Sequence, residues 1–439
     1  SGWHDQTRAI FANAEIGWKS MIYLTATGRN DWDSRLAFSD YKSFFYPSIG
    51  LSAILTSMFN APDWLTYLKV RGSYTEVGNS YGRFMTTVTY PYDEQTQSWT
   101  STSSYPNTKL KPERTKSWEV GLDARILNDI SLNLTYYRSN TYNQTFYADL
   151  SLSSGYSNIP IQSGNIMNEG LEMSLGYNKQ WKDFSFNTNY TLTWNKNRVK
   201  RLADGVYNYA TGQPIQMPEL SPLTYGHTDA RLILRVGGSM GDVYGQRLLK
   251  RDLNGYILNE EGVGLAMENK ETYLGSILPK MNMGWSLGFG YKGVNLGMTF
   301  TGRFGGIVIS ETQSVLDAAG VSKVSADVRD AGGVQINQSK VSAQTYYQTI
   351  QGTAAYYTYS ATNVRLGELS LSYTLPKKWF DNKVGMTVGL VGKNLWMIYC
   401  KAPFDPELTT SAASNFYQGF DAYMLPSTRN FGFNVKFQF

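Results

Sequence analysis

The sequence has few of the residues that build disulfide, metal or catalytic centres. It contains one cysteine, Cys400, and two histidines, His4 and His227. A single cysteine excludes an internal disulfide, and these three residues are too few for a typical zinc centre. The net charge is only +5 and the basic residues are scattered, so no nucleic-acid-binding surface is predicted.

Long apolar runs are missing as well. The sequence has no stretch of about 18 consecutive apolar residues, which excludes a transmembrane helix. Ser1 to Asp5 lead directly into a strand pattern and do not resemble a secretory signal. We expect any export signal to lie upstream.

Aromatic residues and glycine are abundant instead, in a polar setting. The chain contains 32 Tyr, 20 Phe, 11 Trp and 41 Gly, yet its mean hydropathy is −0.35. Strands that are apolar on one face only produce this combination, because strand side chains alternate between two faces. Residues 131–137, 184–194 and 366–373 alternate in this way. The composition therefore predicts one large all-β body.

The alternating segments predict about thirteen strands of a transmembrane antiparallel β-barrel. Such a strand needs about 9–11 residues, with an apolar face toward lipid and a small or polar face toward the lumen. The predicted strands are 7–18, 19–29, 44–55, 66–78, 115–126, 129–140, 163–179, 183–198, 279–291, 293–305, 362–375, 383–399 and 427–439.

The connectors alternate between short and long, as periplasmic turns and extracellular loops do in outer-membrane barrels. The short ones are predicted near Trp18 and Lys19, at 56–65, 127–128, 181–182 and 376–382, and at Lys292. The long ones are predicted at 30–43, 79–114, 141–162, 199–278, 306–361 and 400–426. Inside them, Asn254 and Gly255 predict a hairpin over 248–258, and 312–329 can include a short helix.

The C-terminal segment alternates to its last residue. Its apolar positions are Phe431, Phe433, Val435, Phe437 and Phe439. A bare aromatic edge strand would promote aggregation in water, whereas in a closed barrel it has a pairing partner. We therefore interpret these residues as the terminal strand that is recognised during barrel assembly in an outer membrane.

Several segments together resemble SusC/RagA-type TonB-dependent transporters. Residues 363–376 read NVRLGELSLSYTLP, and are followed by GKNLW at 392–396, DPE at 405–407 and PSTRNF at 426–431. Earlier matches are YPSIGLS at 46–52, LKVRGSYTEVGN at 68–79 and LKPERTKSWEVG at 110–121. Thr75 stands where the family usually has Gly, and Tyr46 where it usually has Phe. The matches keep the family's order along nearly the whole chain.

This resemblance implies parts that are absent from the sequence. Family members have a barrel of about 22 strands, a plug domain and a TonB-interacting segment upstream. We therefore interpret residues 1–439 as the C-terminal portion of the barrel domain, with the remainder of the barrel and the plug supplied from elsewhere.

The resemblance also implies a function and partners. The function is TonB-dependent import of a nutrient oligomer across the outer membrane of a Gram-negative bacterium, with an oligosaccharide favoured over an oligopeptide. The partners are a SusD-like surface lipoprotein that acts as a lid, TonB-ExbB-ExbD through the missing N-terminal part, and lipid and lipopolysaccharide. A passive porin-like or structural barrel is the alternative, and a soluble β-rich surface protein is a third possibility.

Three short motifs that suggest other chemistry are interpreted as chance matches. Residues 237–241 fit G-x-S-x-G but lack a following helix and a later histidine. Residues 288–293 fit G-x-G-x-x-G but run into another strand pattern. Residues 252–261 lack most ligands of a calcium loop. No catalytic residue, metal site, cofactor or nucleic-acid partner is predicted.

Loop aromatic residues are the candidates for ligand binding, because Tyr and Trp combine a flat apolar face with a polar tip. The alternative for each is a place in the aromatic girdle or in loop packing. The candidates are Trp99, Tyr207, Tyr209, Tyr356, Tyr357 and Tyr417.

Overall fold

Thirteen strands form one antiparallel sheet in which each strand pairs with its neighbours in this order. They are β1 (Thr7–Trp18), β2 (Ile22–Asp33), β3 (Phe44–Ile54), β4 (Leu65–Asn79), β5 (Glu113–Ile126), β6 (Ile130–Tyr142), β7 (Asn165–Trp181), β8 (Phe184–Arg201), β9 (Met281–Tyr291), β10 (Val294–Phe304), β11 (Asn363–Leu375), β12 (Gly385–Cys400) and β13 (Asn430–Gln438). The computed structural model describes residues 4–162, 164–202, 219–260, 264–381, 383–408, 410 and 415–439.

The thirteen predicted strands are confirmed, with small shifts at their ends. The largest shift is in β2, which was predicted at 19–29 and lies at Ile22–Asp33. Lys19 and Ser20 have φ values of +48° and +54°, and form a tight turn instead of extended backbone. The strand continues to Asp33 because that residue pairs with Thr7, the first residue of β1.

The chain folds as two compact units. The first comprises Ser1–Tyr177, Thr191–Pro222 and Leu234–Ser239, and the second comprises Asn178–Tyr190, Leu223–Ile233 and Met240–Phe439.

The sheet in the first unit has one polar and one aromatic face. On the polar face, Arg71 on β4 donates to Asp123 Oδ2 on β5 at 3.0 Å and to Thr135 Oγ1 on β6 at 2.6 Å. On the opposite face, the rings of Trp118 and Tyr136 lie 5.4 Å apart. This two-sided sheet is what the alternating sequence predicts.

The same division holds for the sheet in the second unit. The rings of Trp285 and Phe300 lie 5.8 Å apart on one face. On the other face, a Cβ on Gly288 would come within 2.6 Å of Asn187 Nδ2, so this close packing requires glycine. Gly288 lies inside β9 and no helix follows, which confirms that G-x-G-x-x-G is a strand and turn here.

The connectors of the first unit carry small elements of their own. Leu36, Phe44, Tyr81 and Leu110 form a buried cluster at the ends of its strands. The additional elements are helix α1 (Leu55–Met58), the 3-10 turns Ser34–Leu36 and Leu152–Ser154, and the paired strands Tyr92–Asp93 with Ser98–Trp99 and Thr145–Asp149 with Asn158–Gln162.

The connectors between β8 and β13 are more elaborate. Their strands are Glu219–Thr224, Arg231–Arg235, Asp242–Leu249 and Met267–Ser276 in one sheet, Thr358–Ser360, Ile307–Ser310 and Phe420–Asp421 in a second, and the pairs Asn259–Glu260 with Gly264–Leu265 and Val334–Ile336 with Ser339–Val341. Their helices are α2 (Glu311–Ala318), α3 (Lys323–Asp330) and α4 (Ala343–Ile350), with 3-10 turns at Ala354–Tyr356, Lys377–Phe380 and Asn415–Tyr417.

Serine caps explain where these helices begin. The hydroxyls of Ser310, Ser322 and Ser342 each accept a hydrogen bond from the backbone N–H three residues later. The short helix predicted within 312–329 is therefore two helices, separated at Gly320 by a φ of +72°. No described helix is long and apolar enough to cross a membrane.

The predicted hairpin at Asn254 and Gly255 is present but shorter than 248–258. Arg251 and Ile257 form its single bridge, and Asp252 Oδ1 accepts from the backbone N–H groups of Asn254 and Tyr256. The preceding residues belong to Asp242–Leu249, which pairs with Met267–Ser276 instead. The first residues of the predicted hairpin therefore pair with a more distant strand and not with the end of the hairpin itself.

Candidate ligand-binding loops

Trp99 lies in a two-stranded hairpin in the connector between β4 and β5. It is paired directly with Tyr92, and the two ring centroids are 5.1 Å apart. Both rings are exposed, Trp99 at 70% and Tyr92 at 49%. The structure therefore brings a second aromatic residue to the one that the sequence singled out.

Backbone hydrogen bonds continue this hairpin beyond its short strands, on the side away from the turn. Thr100 N donates to Pro91 O at 3.0 Å, and Thr102 N donates to Thr89 O at 3.1 Å. At the tip, Asp93 Oδ1 accepts from Gln95 N and Thr96 N. These bonds hold the pKa of the Asp93 carboxyl below its usual value.

The base of the hairpin is attached to the connector between β6 and β7. Tyr105 N donates to Asn158 O at 2.8 Å, and Ser157 N donates to Ser103 O at 2.7 Å. The rings of Tyr105 and Tyr156 meet edge to face at 5.1 Å. The exposed tip therefore stands on an anchored base.

Tyr417 packs against a buried cluster in the second unit. We call it the Tyr225 cluster; its members are Tyr225, Ala230, Leu232, Val243, Ile277, Ile309, Ala354 and Phe420. Tyr417 meets Tyr225 edge to face at 6.2 Å, and the Tyr225 hydroxyl donates to Phe416 O at 2.7 Å. Burial raises the pKa of the Tyr225 phenol.

Tyr357 belongs to a second buried cluster, and Tyr356 packs against it. We call it the Tyr357 cluster; its members are Leu249, Leu265, Ile336, Val341, Ala343, Tyr347, Ile350 and Tyr357. Tyr357 is 3% exposed, and the Tyr356 hydroxyl accepts from Leu249 N at 3.1 Å. In this arrangement both rings pack the loops, which is the alternative that the sequence left open.

Two buried carboxylates join connectors that are far apart in sequence. Asp229 Oδ1 accepts from Ala354 N at 2.6 Å, and Asp229 Oδ2 accepts from Gln246 N at 3.1 Å. Glu311, which is 3% exposed, accepts from Tyr423 OH at 3.2 Å and from His227 N at 3.4 Å. Sequence reasoning missed both, because an isolated acid in a loop carries no signal of its distant partners.

Asp229→Ala is expected to loosen the connectors locally by about 3 kcal/mol, because hydrogen bonds to a charged acceptor contribute about 1.5–3 kcal/mol each. The check is hydrogen exchange at the amides of Gln246 and Ala354 in the intact receptor. Asp252→Ala is the matched control, since Asp252 also accepts two backbone N–H bonds but lies on an exposed turn. Equal effects of the two substitutions would contradict the prediction.

A buried ion pair fixes the connector between β12 and β13. Arg365 donates from Nη1 to Asp405 Oδ2 at 2.9 Å and from Nη2 to Asp405 Oδ1 at 2.7 Å. Glu407 lies 3.4 Å from the same guanidinium, and Asn363 Oδ1 accepts from Arg365 Nε at 3.3 Å. Arg365 belongs to the NVR segment and Asp405 to the DPE segment, both of which were noted in the sequence. Only the fold shows that the two segments are paired.

The remaining predicted residues divide into those with a described position and those without. Tyr207 and Tyr209 lie outside the described residues. Phe431, Phe433, Val435 and Phe437 lie on β13 and are 80%, 79%, 42% and 55% exposed, and Phe439 follows at 97%. Among the described residues β13 pairs only with β12. The ligand-binding and assembly roles stay predictions.

The described part of the chain holds no group of three or more His, Cys, Asp or Glu residues placed to bind a metal ion. The G-x-S-x-G segment at 237–241 forms a turn that leads into the strand Asp242–Leu249, so a strand-to-helix elbow is not present there.

A family model described as TonB dependent receptor-like, beta-barrel matches residues 1–395. The chain belongs to this family of receptor β-barrels. The resemblance drawn from the sequence segments is thereby confirmed, as is the all-β antiparallel fold.

Individual relatives agree with the family model. TonB-dependent receptor P3 of Formosa agariphila is 25% identical over 468 residues, covering 98% of this chain and 45% of that receptor. TonB-dependent receptor SusC of Bacteroides thetaiotaomicron is 27% identical over 154 residues, covering 34% of this chain and 14% of that receptor. The chain spans about half the length of the first curated relatives it matches.

The fold of this receptor barrel is also similar to solved structures. The structure of the RagAB peptide transporter matches with a TM-score of 0.75 at 20% identity, over 99% of this chain and 47% of that chain. The RagAB peptide importer in its closed-closed state matches with a TM-score of 0.73, also at 20% identity. At this identity the likeness concerns the fold alone.

Proposed function

We propose that this chain is the C-terminal barrel portion of an outer-membrane receptor that imports a nutrient oligomer with energy delivered by TonB. The observation that carries the proposal is the match of residues 1–395 to the TonB-dependent receptor barrel family. The sheet of thirteen strands supports it, because from β4 onward long and short connectors alternate, as they do in outer-membrane barrels.

The proposal includes the parts of the receptor that this sequence does not contain. An earlier portion supplies the rest of the barrel and the plug, so that the open edges of β1 and β13 find partners, as a membrane-spanning sheet requires. TonB-ExbB-ExbD engages that earlier portion, and a SusD-like lipoprotein covers the extracellular side. The long connectors face outward and capture the cargo, an oligosaccharide before an oligopeptide.

Energised import makes a direct prediction about uptake. Cells that carry the intact receptor are expected to take up a labelled nutrient oligomer only while the proton gradient is maintained, because TonB draws on that gradient. A proton ionophore should reduce uptake to the level of a receptor-deleted strain. The measurement is radiolabel accumulation in the two strains, with and without ionophore. Receptor-dependent uptake that continues with the ionophore present would favour the passive barrel instead.

A further inference from the structure

Three exposed rings lie on one face of the hairpin that carries Trp99. Tyr92 and Trp99 are directly opposed, and side chains two residues apart share a face of a strand. The hydrogen bond from Thr102 N to Thr89 O extends the ladder to Tyr90, which is 62% exposed. This register places Tyr90 on the same face as Tyr92 and Trp99, and we call the three residues the aromatic strip.

The surroundings of the aromatic strip are rich in neutral hydrogen-bonding groups. Residues 86–105 contain many serine and threonine residues together with Gln95 and Gln97. The segment has no Lys or Arg, and its charged residues are Asp93 and Glu94. This segment therefore offers flat apolar faces beside hydroxyl, amide and carboxylate groups, and it has no basic side chain to pair with an anion.

The aromatic strip is too small for a stable protein partner. A standard protein interface takes about 800 Å² from each partner, whereas one aromatic side chain supplies about 150–250 Å² when fully buried. Three rings that are already partly covered fall short of that area. Their size suits a flexible oligomer whose units are each as wide as one ring.

We infer that the aromatic strip binds successive sugar rings of a neutral oligosaccharide at the tip of the β4–β5 connector. A pyranose ring has a flat face of C–H groups and a rim of hydroxyls, which matches the aromatic faces and the polar groups beside them. The two carboxylates disfavour uronic or sulfated chains. This inference rests on the proposed import function, to which it adds a binding site and the requirement that the oligosaccharide be uncharged.

Binding measurements on the intact receptor in detergent test this inference. The probes are neutral hexasaccharides of α-glucan, β-glucan, β-mannan and β-xylan type, an oligogalacturonate hexamer, the cell's own lipopolysaccharide and a mixed pool of short peptides. At least one neutral hexasaccharide is expected to bind. Trp99→Ala should weaken that binding by about tenfold or more, since stacked rings contribute beyond their buried area.

Matched variants separate stacking from disturbed folding. Trp99→Phe keeps a flat ring and should retain most of the affinity, and Tyr92→Ala should weaken binding as Trp99→Ala does. Tyr256→Ala is the control, because Tyr256 is a loop-tip aromatic residue that is 52% exposed. It should leave the affinity unchanged.

Each contrary result overturns the inference. These results are no binding of any neutral hexasaccharide, equal affinity in wild type and Trp99→Ala, and tighter binding of the oligogalacturonate or of lipopolysaccharide. Loss of peptide binding alone in Trp99→Ala would assign the strip to peptides. In that case, uptake of peptides that stops with the ionophore would still support the import proposal. Glycan binding without energised uptake would reject the import proposal but support the binding site.

Discussion

Gly226→Ala is expected to open the Tyr225 cluster and detach the connectors that meet there. Gly226 has a φ of +53°, a conformation that costs other residues about 1–2 kcal/mol. An added Cβ would overlap Glu311 Oε2 and lie 2.7 Å from Phe420 Cζ. Both neighbours are at most 3% exposed, and Glu311 is held by hydrogen bonds from Tyr423 OH and His227 N.

The combined cost is about 2–5 kcal/mol, since overpacking of a well-packed core adds about 1–3 kcal/mol to the backbone strain. Hydrogen exchange of the amides in 223–233, measured in the intact receptor, should accelerate accordingly. The sheet strands should keep their protection, because local opening does not require global unfolding.

Gly255→Ala provides the matched control for this substitution. Gly255 also has a positive φ, +85°, but no heavy atom lies within 4 Å of an added Cβ. Only the backbone term of about 1–2 kcal/mol remains there, and it is confined to the hairpin tip. If both variants exchange alike at 223–233, steric overlap with Glu311 and Phe420 is not what excludes a side chain at Gly226.

Arg365→Leu is expected to release the connector between β12 and β13. The side chains of Arg365 and Asp405 are only 11% and 8% exposed, so the substitution leaves a buried carboxylate without its partner. Breaking a buried pair in this way costs about 3–5 kcal/mol. Trypsin cleavage after the exposed Lys401 should become faster in the intact receptor.

An exposed ion pair in the same unit serves as the control. Lys393 lies 3.7 Å from Glu368, and their side chains are 62% and 45% exposed. Lys393→Leu should change stability by no more than about 1 kcal/mol, because solvent screens such pairs. The double variant Arg365→Leu with Asp405→Leu should recover part of the loss, since neither charge is then buried alone. A double variant as labile as Arg365→Leu would contradict this explanation.

The ion pair of Arg365 with Asp405 also predicts that the stability of this connector depends on pH. Burial opposes ionisation of Asp405, but the hydrogen bonds from Arg365 and Glu407 N hold its pKa below the usual 3.8. A carboxyl whose pKa is lower in the folded state stabilises that state above its unfolded pKa, and this contribution disappears as the pH falls through the folded pKa. Protection of the connector between β12 and β13 from a protease active in acid should therefore persist to about pH 4 and weaken below it.

The two largest expected effects both lie in connectors, where sequence reasoning was weakest. The sequence placed the connector between β10 and β11 and predicted one helix in it, but it missed α4 and could not join Asp229 to Ala354. These contacts join residues separated by 100 or more positions along the chain, such as Ser310 with Asp421. A local sequence pattern cannot predict contacts between residues so far apart in the chain.

The candidate aromatic residues show the same limit. Trp99 and Tyr357 were selected by one criterion, a large amphipathic ring in a long connector. The structure leaves Trp99 70% exposed and Tyr357 3% exposed. Exposure of a loop residue depends on which other loops fold over it, and the sequence around the residue does not contain that information.

The sequence by itself determined the thirteen strands, their antiparallel order and, from β4 onward, the alternation of long and short connectors. These follow from a local rule, because a strand with one apolar face repeats every two residues and a tight turn joins it to the next strand. Only the tertiary structure decided which connector residues are buried, which acids are paired and which aromatic rings remain accessible. Those outcomes depend on packing between segments that are distant in the chain, and their energies arise only when the segments meet.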